Sequence, residues 1–135
     1  MLVAAHQVGR LLEARGRDQV PYAEFIAFRS SFQEKIAKLG PGVRLVVVAD
    51  LRGAEELSAD VAPAVLGMLR ADNARVERSA HLVTPGTSFS RQYDEIVDAT
   101  RNPMRQVFIT VPELVPWLSP VLTSEELVRL RAILG

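Results

Sequence analysis

The segment Val43–Leu51, VRLVVVADL, gives the strongest indication of the fold of this 135-residue chain. Its central residues, Leu45–Ala49, are all apolar, so a strand formed here has no face suited to water. Continuous apolarity of this kind is typical of a central strand in a mostly parallel sheet that helices cover on both sides. Asp50 ends the run, and its carboxylate is therefore expected at the carboxyl end of that strand.

A β-hairpin and a long helix are predicted before this strand. The hairpin joins Leu2–His6 to Leu11–Ala14 through a turn at Val8-Gly9. The helix begins at Pro21, because proline is tolerated in a first helical turn, and it ends at Gly40-Pro41. Its apolar side chains recur at steps of three and four, as an amphipathic helix requires: Phe25, Phe28, Phe32, Ile36 and Leu39.

Helices and strands alternate after the central strand. A second helix starts near Ser58 or Asp60, both good N-caps, and ends at Asp72-Asn73, and a strand follows at Ala80–Thr84. The remaining predicted elements are a third helix capped by Ser88 or Ser90, a strand at Val107–Thr110, a helix around Trp117 that Pro120 interrupts, and a last helix that begins with a capping box of Thr123 and Glu126.

The order of these elements, β-β-α-β-α-β-α-β-α, defines an α/β fold. Strands that alternate with helices form a mostly parallel sheet with right-handed crossovers, and the N-terminal hairpin adds an antiparallel edge. We therefore predict about five strands and four to five helices. They form a single domain over residues 1–135, since no repeat or low-complexity linker divides the chain.

The composition excludes several classes of function. The 16 basic and 16 acidic residues cancel, whereas nucleic-acid-binding domains usually carry a basic excess. The absence of cysteine excludes disulfides, thiol nucleophiles and cysteine-based metal sites, and it fits a reducing compartment. The sequence shows no leader peptide and no run near the roughly 20 apolar residues of a membrane span. We therefore expect a cytoplasmic protein that binds no nucleic acid and has no membrane span.

Three features carry a resemblance to a known family. They are the hairpin before a long helix, the stretch VRLVVVADLRGAEELS at residues 43–58, and the closing stretch QVFITVPELVPWL at residues 106–118. Together they resemble the STAS-like fold of anti-sigma factor antagonists, and most closely the small bacterial SpoIIAA-like proteins, which are mostly uncharacterised. The resemblance covers nearly the whole chain and implies a STAS-like α/β fold.

The resemblance also implies a candidate phosphorylation site at Ser58. In signalling members of the STAS family, a partner kinase phosphorylates a serine or threonine at the start of the helix after the central strand, within an Asp-Ser-Ser/Thr-Gly pattern. Phosphate adds nearly two negative charges to such a surface. The matching stretch here, residues 56–60, is Glu-Leu-Ser-Ala-Asp, which lacks the preceding aspartate, the second hydroxyl and the glycine. Ser58 as a plain helix cap is the alternative.

A second candidate site lies in the loop between the Ala80–Thr84 strand and the third helix. Free N–H groups and the helix dipole attract anions to a helix N-terminus, and a nearby arginine adds positive charge. The residues predicted to bind an anion are Thr84, Gly86, Thr87, Ser88 and Arg91. The loop matches neither a phosphate-binding P-loop nor a dinucleotide-binding motif, so a turn before a capped helix is the alternative.

Three further residue types are candidate functional groups. Asp50 is either an acid at a ligand-binding strand end or a carboxylate that accepts loop N–H bonds. The two histidines, His6 and His81, form no cluster of metal ligands, so no metal and no cofactor are predicted, and His81 is expected in the core. Trp117, among several prolines, either covers a groove that admits an apolar ligand or is ordinary packing.

The function predicted first is a non-enzymatic regulatory or protein-interaction module that acts through a protein partner or a homo-oligomer. The alternative is a carrier or sensor of a small apolar or anionic ligand, bound under Trp117 or at the Thr84–Ser88 loop. No catalytic constellation is visible, so we do not expect an enzyme. A large exposed apolar patch would favour the interaction module, whereas an apolar pocket with a few polar groups would favour the ligand carrier.

Overall fold

A five-stranded sheet forms the centre of the protein, and its strands lie side by side in their order along the chain. The structure is a computed structural model that describes all 135 residues. The strands are β1 (Leu2–Val8), β2 (Leu11–Gly16), β3 (Leu45–Asp50), β4 (Val76–Leu82) and β5 (Arg105–Phe108). The helices are α1 (Tyr22–Leu39), α2 (Val61–Asp72), α3 (Ser88–Ala99), α4 (Val111–Leu118) and α5 (Ser124–Leu134), with short 3₁₀ turns at Asn73–Arg75 and Ser119–Val121.

The sheet is parallel except at its N-terminal edge, where β1 runs antiparallel to β2. Each parallel connection runs through one helix to the neighbouring strand, and right-handed crossovers in one direction place all three helices on the same face. Helices α1–α3 therefore cover one face, and α4 and α5 cover the other. The predicted α/β fold with an antiparallel hairpin edge is confirmed.

Strand β3 is buried along its whole length, as its sequence predicts. Alternate side chains belong to two separate cores because successive residues of a strand point to opposite faces. Leu45, Val47 and Ala49 pack with α1–α3 in a cluster of 20 buried residues. Val46 and Val48 pack with α4 and α5 in a cluster of nine. The sheet is thus a wall between a larger and a smaller core.

Several element boundaries differ from the sequence predictions. Strand β4 begins at Val76 rather than Ala80, and β5 covers Arg105–Phe108 rather than Val107–Thr110. The residues added at the start of each strand are mostly polar, and a hydrophobicity pattern assigns them to loops, although Ser79 and Arg105 are buried. The hairpin turn lies at Gly9-Arg10 rather than Val8-Gly9. The cap of α3 is Thr87 rather than Ser88 or Ser90, since its hydroxyl accepts a hydrogen bond from the Ser90 amide.

Glu126 joins the last helix to the first hairpin. Its carboxylate accepts the Thr123 amide at 2.8 Å, which completes the predicted capping box, and it also accepts the Arg10 amide at 2.8 Å. Gly9, with φ +56°, lies so close that a Cβ there would collide with the same carboxylate. A buried acid thus satisfies backbone donors from both ends of the chain.

Replacing Glu126 by alanine is expected to lower the free energy of unfolding by roughly 2–3 kcal/mol, because hydrogen bonds to a charged acceptor are lost inside the protein. Urea denaturation measures the change. The matched control is Glu125→Ala, which removes an exposed carboxylate one residue earlier and should alter the free energy by about 0.5 kcal/mol or less. Equal effects of the two substitutions would contradict this account of Glu126.

Candidate functional site

A cavity of about 80 Å³ lies in the larger core, between the sheet and helices α1–α3. Of the 24 residues that line it, 19 are hydrophobic. The volume is several times the roughly 10–15 Å³ that one water molecule needs. Protein interiors are normally packed with few voids larger than a water molecule, so this space is a candidate binding site.

Small side chains in one row across the sheet leave this space open. Ala14 on β2 is paired in register with Ala49 on β3, and Ala49 is paired with His81 on β4. Two alanines therefore stand side by side on the face that α1 covers. The aromatic side chains of α1 line the opposite wall: Phe25, Phe28 and Phe32. Methyl groups facing phenyl rings make this part of the cavity apolar.

Polar side chains from two elements, β4 and α3, form one side of the cavity. Ser79 and His81 lie two residues apart on β4, so they project to the same face of the sheet, and Tyr93 reaches them from α3. The Ser79 hydroxyl and His81 Nε2 are 2.7 Å apart, and the Tyr93 hydroxyl and His81 Nδ1 are 2.9 Å apart. All three residues are buried. They form a hydrogen-bonded chain, Ser79–His81–Tyr93, with the imidazole in the middle.

Burial keeps this chain uncharged. It lowers the pKa of His81 to about 3, helped by the positive charge of Arg105, so the imidazole is neutral at physiological pH. It also raises the pKa of Tyr93 well above the ordinary value, although Arg105 opposes the shift, so the phenol keeps its proton. The polar side of the cavity therefore presents neutral hydrogen-bonding groups rather than an acid–base pair.

Arg105 extends the polar side onto β5, where it is paired in register with Ser79. It is only 5% exposed. Its Nε donates to Asn73 Oδ1 at 3.0 Å and one terminal nitrogen donates to the Leu69 carbonyl at 2.7 Å, while no carboxylate lies within ion-pair distance. Burial lowers its pKa, and the acidic groups of Tyr93 and Asp72 oppose that shift. Burial likewise raises the pKa of Asp72, which also lines the cavity.

Asp50, the acid predicted at the end of the central strand, lies in a different environment. It is 1% exposed. Its carboxylate accepts hydrogen bonds from Arg52 Nε at 2.9 Å and from Arg17 Nη2 at 3.0 Å. Burial alone would raise the pKa of Asp50, but the hydrogen bonds from Arg52 and Arg17 outweigh it and lower the value to about 2. Arg52 also donates to the Leu134 carbonyl at 2.9 Å, so Asp50 links β3 to β2 and to the end of α5.

The loop predicted to bind an anion forms a capped helix start. Thr87 donates to the Thr84 carbonyl at 3.0 Å, and the Thr84 hydroxyl accepts the Gly53 amide at 3.2 Å. Gly86 adopts φ +76° in the turn. Ser88 and Arg91 are exposed. The loop lies outside the cavity lining, and anion binding there stays a prediction.

Trp117 and Ser58 also lie away from the cavity. The Trp117 ring packs against Phe108 with their centroids 5.4 Å apart, and the Arg78 guanidinium lies 5.3 Å from the tryptophan ring centroid. This packing is on the α4–α5 face, opposite the cavity. Ser58 is exposed before α2 and its hydroxyl donates to the Asp60 carboxylate. Phosphorylation of Ser58 stays a prediction.

Sequence reasoning missed Ser79, Tyr93 and Arg105 as members of a site. It expected His81 in the core, and that expectation is confirmed. The signal that could have found Ser79 is alternation, because Ser79 and His81 alternate with Ala80 and Leu82 once the strand is started at Val76. Arg105 stands in a strand too short to show alternation.

Comparison with known proteins supports the fold. No protein-family model and no curated protein matches the chain. Among solved structures, the chain is similar to an uncharacterized protein of the DUF3478 family from Shewanella loihica PV-4, which has a SpoIIAA-like fold. The TM-score is 0.62 at 13% identity, over 87% of this chain and 92% of that chain. This protein therefore has a SpoIIAA-like α/β fold, as the sequence resemblance implies, and at this identity the likeness concerns the fold alone.

Neither membrane-spanning helices nor metal-ligand clusters occur in the structure. None of the five helices is both long and apolar enough to cross a bilayer. No three side chains of the types His, Asp or Glu come together in a geometry suited to a metal ion.

The buried neutral His81 predicts that stability falls as the pH is lowered below about 6.5. Below that pH the unfolded chain binds a proton at His81, whereas the folded protein does not until about pH 3. The free energy of unfolding therefore falls by about 1.4 kcal/mol per pH unit because of this group. Urea denaturation at pH 7 and pH 5 should show a smaller pH dependence in His81→Gln than in the wild type. Identical slopes for the wild type and His81→Gln would contradict this account of His81.

Asp50 predicts a separate loss of stability in strong acid. The pKa of Asp50 is about 2 in the folded protein and 3.8 in the unfolded chain, so its ionised carboxylate stabilises the fold above about pH 4. That stabilisation is lost as the pH falls from about 4 to about 2. Asp50→Asn should therefore cost roughly 1–3 kcal/mol at pH 7 and much less at pH 2. Thermal unfolding at the two pH values measures this, and an equal cost at both would refute an ionic role.

Proposed function

We propose that this protein binds a small, mostly apolar ligand in the cavity between the sheet and α1–α3, as a carrier or a sensor. The observation that carries the proposal is the cavity itself, with hydrophobic walls and one polar side of Ser79, His81, Tyr93 and Arg105. Ligand sites commonly combine an apolar lining with a few placed polar groups that fix orientation. The cavity differs in place from the two ligand sites that the sequence suggested.

The size of the cavity limits the ligand. An engineered apolar cavity of about 150 Å³ admits benzene or xenon, and the present cavity, at about 80 Å³, is about half as large. The fitting ligand therefore has only a few non-hydrogen atoms. The buried groups on the polar side carry no strongly activated acid or base, so binding without chemical conversion is the function that the geometry supports.

Xenon is a suitable probe for this proposal because it enters small apolar cavities without needing polar contacts. In NMR spectra of the wild-type protein, dissolved xenon should shift signals of residues around Ala14, Ala49 and Phe28. Ala49→Val adds two methyl groups to the cavity wall and should reduce that response at least several-fold. The control Ala132→Val changes an exposed alanine of α5 and should respond like the wild type. No response in the wild type, or equal responses in all three proteins, would refute the proposal.

A regulatory or interaction role is a second proposal, and the free edge of the sheet supports it. Strand β1 pairs only with β2, so its other edge is open, and its sequence, LVAAHQV, has neither the lysine nor the proline that usually protects an edge. Val3 on this strand is 49% exposed. An open, uncharged edge suits addition of a strand from a partner or a second copy.

Native mass spectrometry tests this second role. We expect the wild type to form a dimer and Ala5→Lys, which places a charge on the edge strand, to shift it toward the monomer. Ala71→Lys, an exposed change on α2, adds the same charge and should leave the dimer intact. A monomer in all three proteins would argue against pairing with a second copy.

A further inference from the structure

The hydrogen-bonded chain at the polar side of the cavity has one donor hydrogen too many. A neutral imidazole carries one N–H and one acceptor nitrogen, and each hydroxyl carries one O–H. Ser79, His81 and Tyr93 therefore supply three donor hydrogens, but only two hydrogen bonds join them. Whichever tautomer His81 adopts, one hydroxyl donates to it and the other accepts from it. The hydrogen of the accepting hydroxyl remains free.

This free hydrogen is buried. Neither the Ser79 nor the Tyr93 hydroxyl makes any hydrogen bond besides the one to His81, and both residues line the cavity. Buried polar groups in proteins are nearly always hydrogen-bonded, and an exception calls for an explanation. An acceptor atom on a ligand inside the cavity would satisfy the remaining donor.

Arg105 adds a positive charge beside this donor, without a carboxylate at ion-pair distance. Its pairing with Ser79 places it next to the chain, and its charge influences both His81 and Tyr93. Two of its three nitrogens are hydrogen-bonded, whereas the other terminal nitrogen has no protein partner and stays accessible to a water-sized probe. Asp72 attracts it from beyond ion-pair distance. Because no carboxylate lies within ion-pair distance of it, this accessible nitrogen is free to donate to an anionic partner.

We propose that the ligand is a small carboxylate with an apolar tail, whose oxygens accept from Arg105 and from the free hydroxyl of Ser79 or Tyr93, while its tail lies against Ala14 and Ala49. This inference rests on the proposed ligand-binding function and specifies the chemistry of the ligand. Arginine is well suited to the role, since its planar guanidinium presents several fixed donors to a carboxylate.

The test compares two molecules of nearly equal shape on the wild-type protein. Propanoate and propanamide have the same number of non-hydrogen atoms, but only the first is charged at pH 7. We expect propanoate to bind at least about tenfold more tightly in NMR titrations at equal ionic strength, with shifts of the Tyr93 and His81 ring signals. Equal affinity, tighter binding of propanamide, or shifts confined to surface residues would overturn the carboxylate assignment.

Arginine variants locate the charge that is responsible. Arg105→Met should reduce propanoate affinity to that of propanamide, once its NMR spectrum confirms that it is folded. Arg131→Met removes an exposed arginine of α5, on the face of the sheet opposite the cavity, and should leave propanoate binding unchanged. Equal loss of propanoate binding in both variants would overturn the proposal. If Arg105→Met does not fold, the ring-signal shifts of the wild type still decide.

Xenon separates the failure of this inference from the failure of the proposed function. If xenon enters the cavity but propanoate has no advantage over propanamide, the protein binds apolar molecules and the carboxylate assignment is wrong. If neither xenon nor propanoate perturbs the cavity residues, both the inference and the ligand-binding function fail.

Discussion

Strand β3 is buried on both faces, and this burial determines where every other layer of the protein lies. A strand with six buried residues must be covered by two layers, and the right-handed crossovers that link β2 to β5 supply only one of them, α1–α3. The chain therefore continues through α4 and α5 to cover the other face. Glu126 and Arg52 then attach α5 to the hairpin turn and to the end of β3.

The two cores are packed differently, and this difference gives the protein its candidate site. Behind α4 and α5, β3 presents Val46 and Val48 to four buried leucines of the two helices. Under α1, the same strand presents Ala49 beside Ala14. The space that these alanines leave is bordered by neutral hydrogen-bonding groups and by a buried cation, Arg105. The empty space lowers the packing density of the larger core. A ligand bound in it would bring the density back to an ordinary value.

Much of the fold could be predicted from the sequence, but the site could not. Local patterns of hydrophobicity and capping predict three features correctly: helix α1, strand β3 and the Thr123–Glu126 capping box. Such patterns depend only on residues that are close together in the chain. The cavity depends on which residues stand opposite each other in strands far apart in the chain, as Ala14, Ala49 and His81 do. Local patterns carry no information on that register. They also assign Arg105 to solvent, because burial of an arginine depends on tertiary partners such as Leu69 and Asn73.

A crystal structure of the wild-type protein under xenon pressure shows whether the cavity admits a guest molecule. We expect a xenon atom between the sheet and α1, in contact with Ala14 and Ala49, with the Ser79–His81–Tyr93 chain unchanged. A closed core, in which the phenylalanine rings of α1 fill the space and no xenon is bound there, would contradict this expectation.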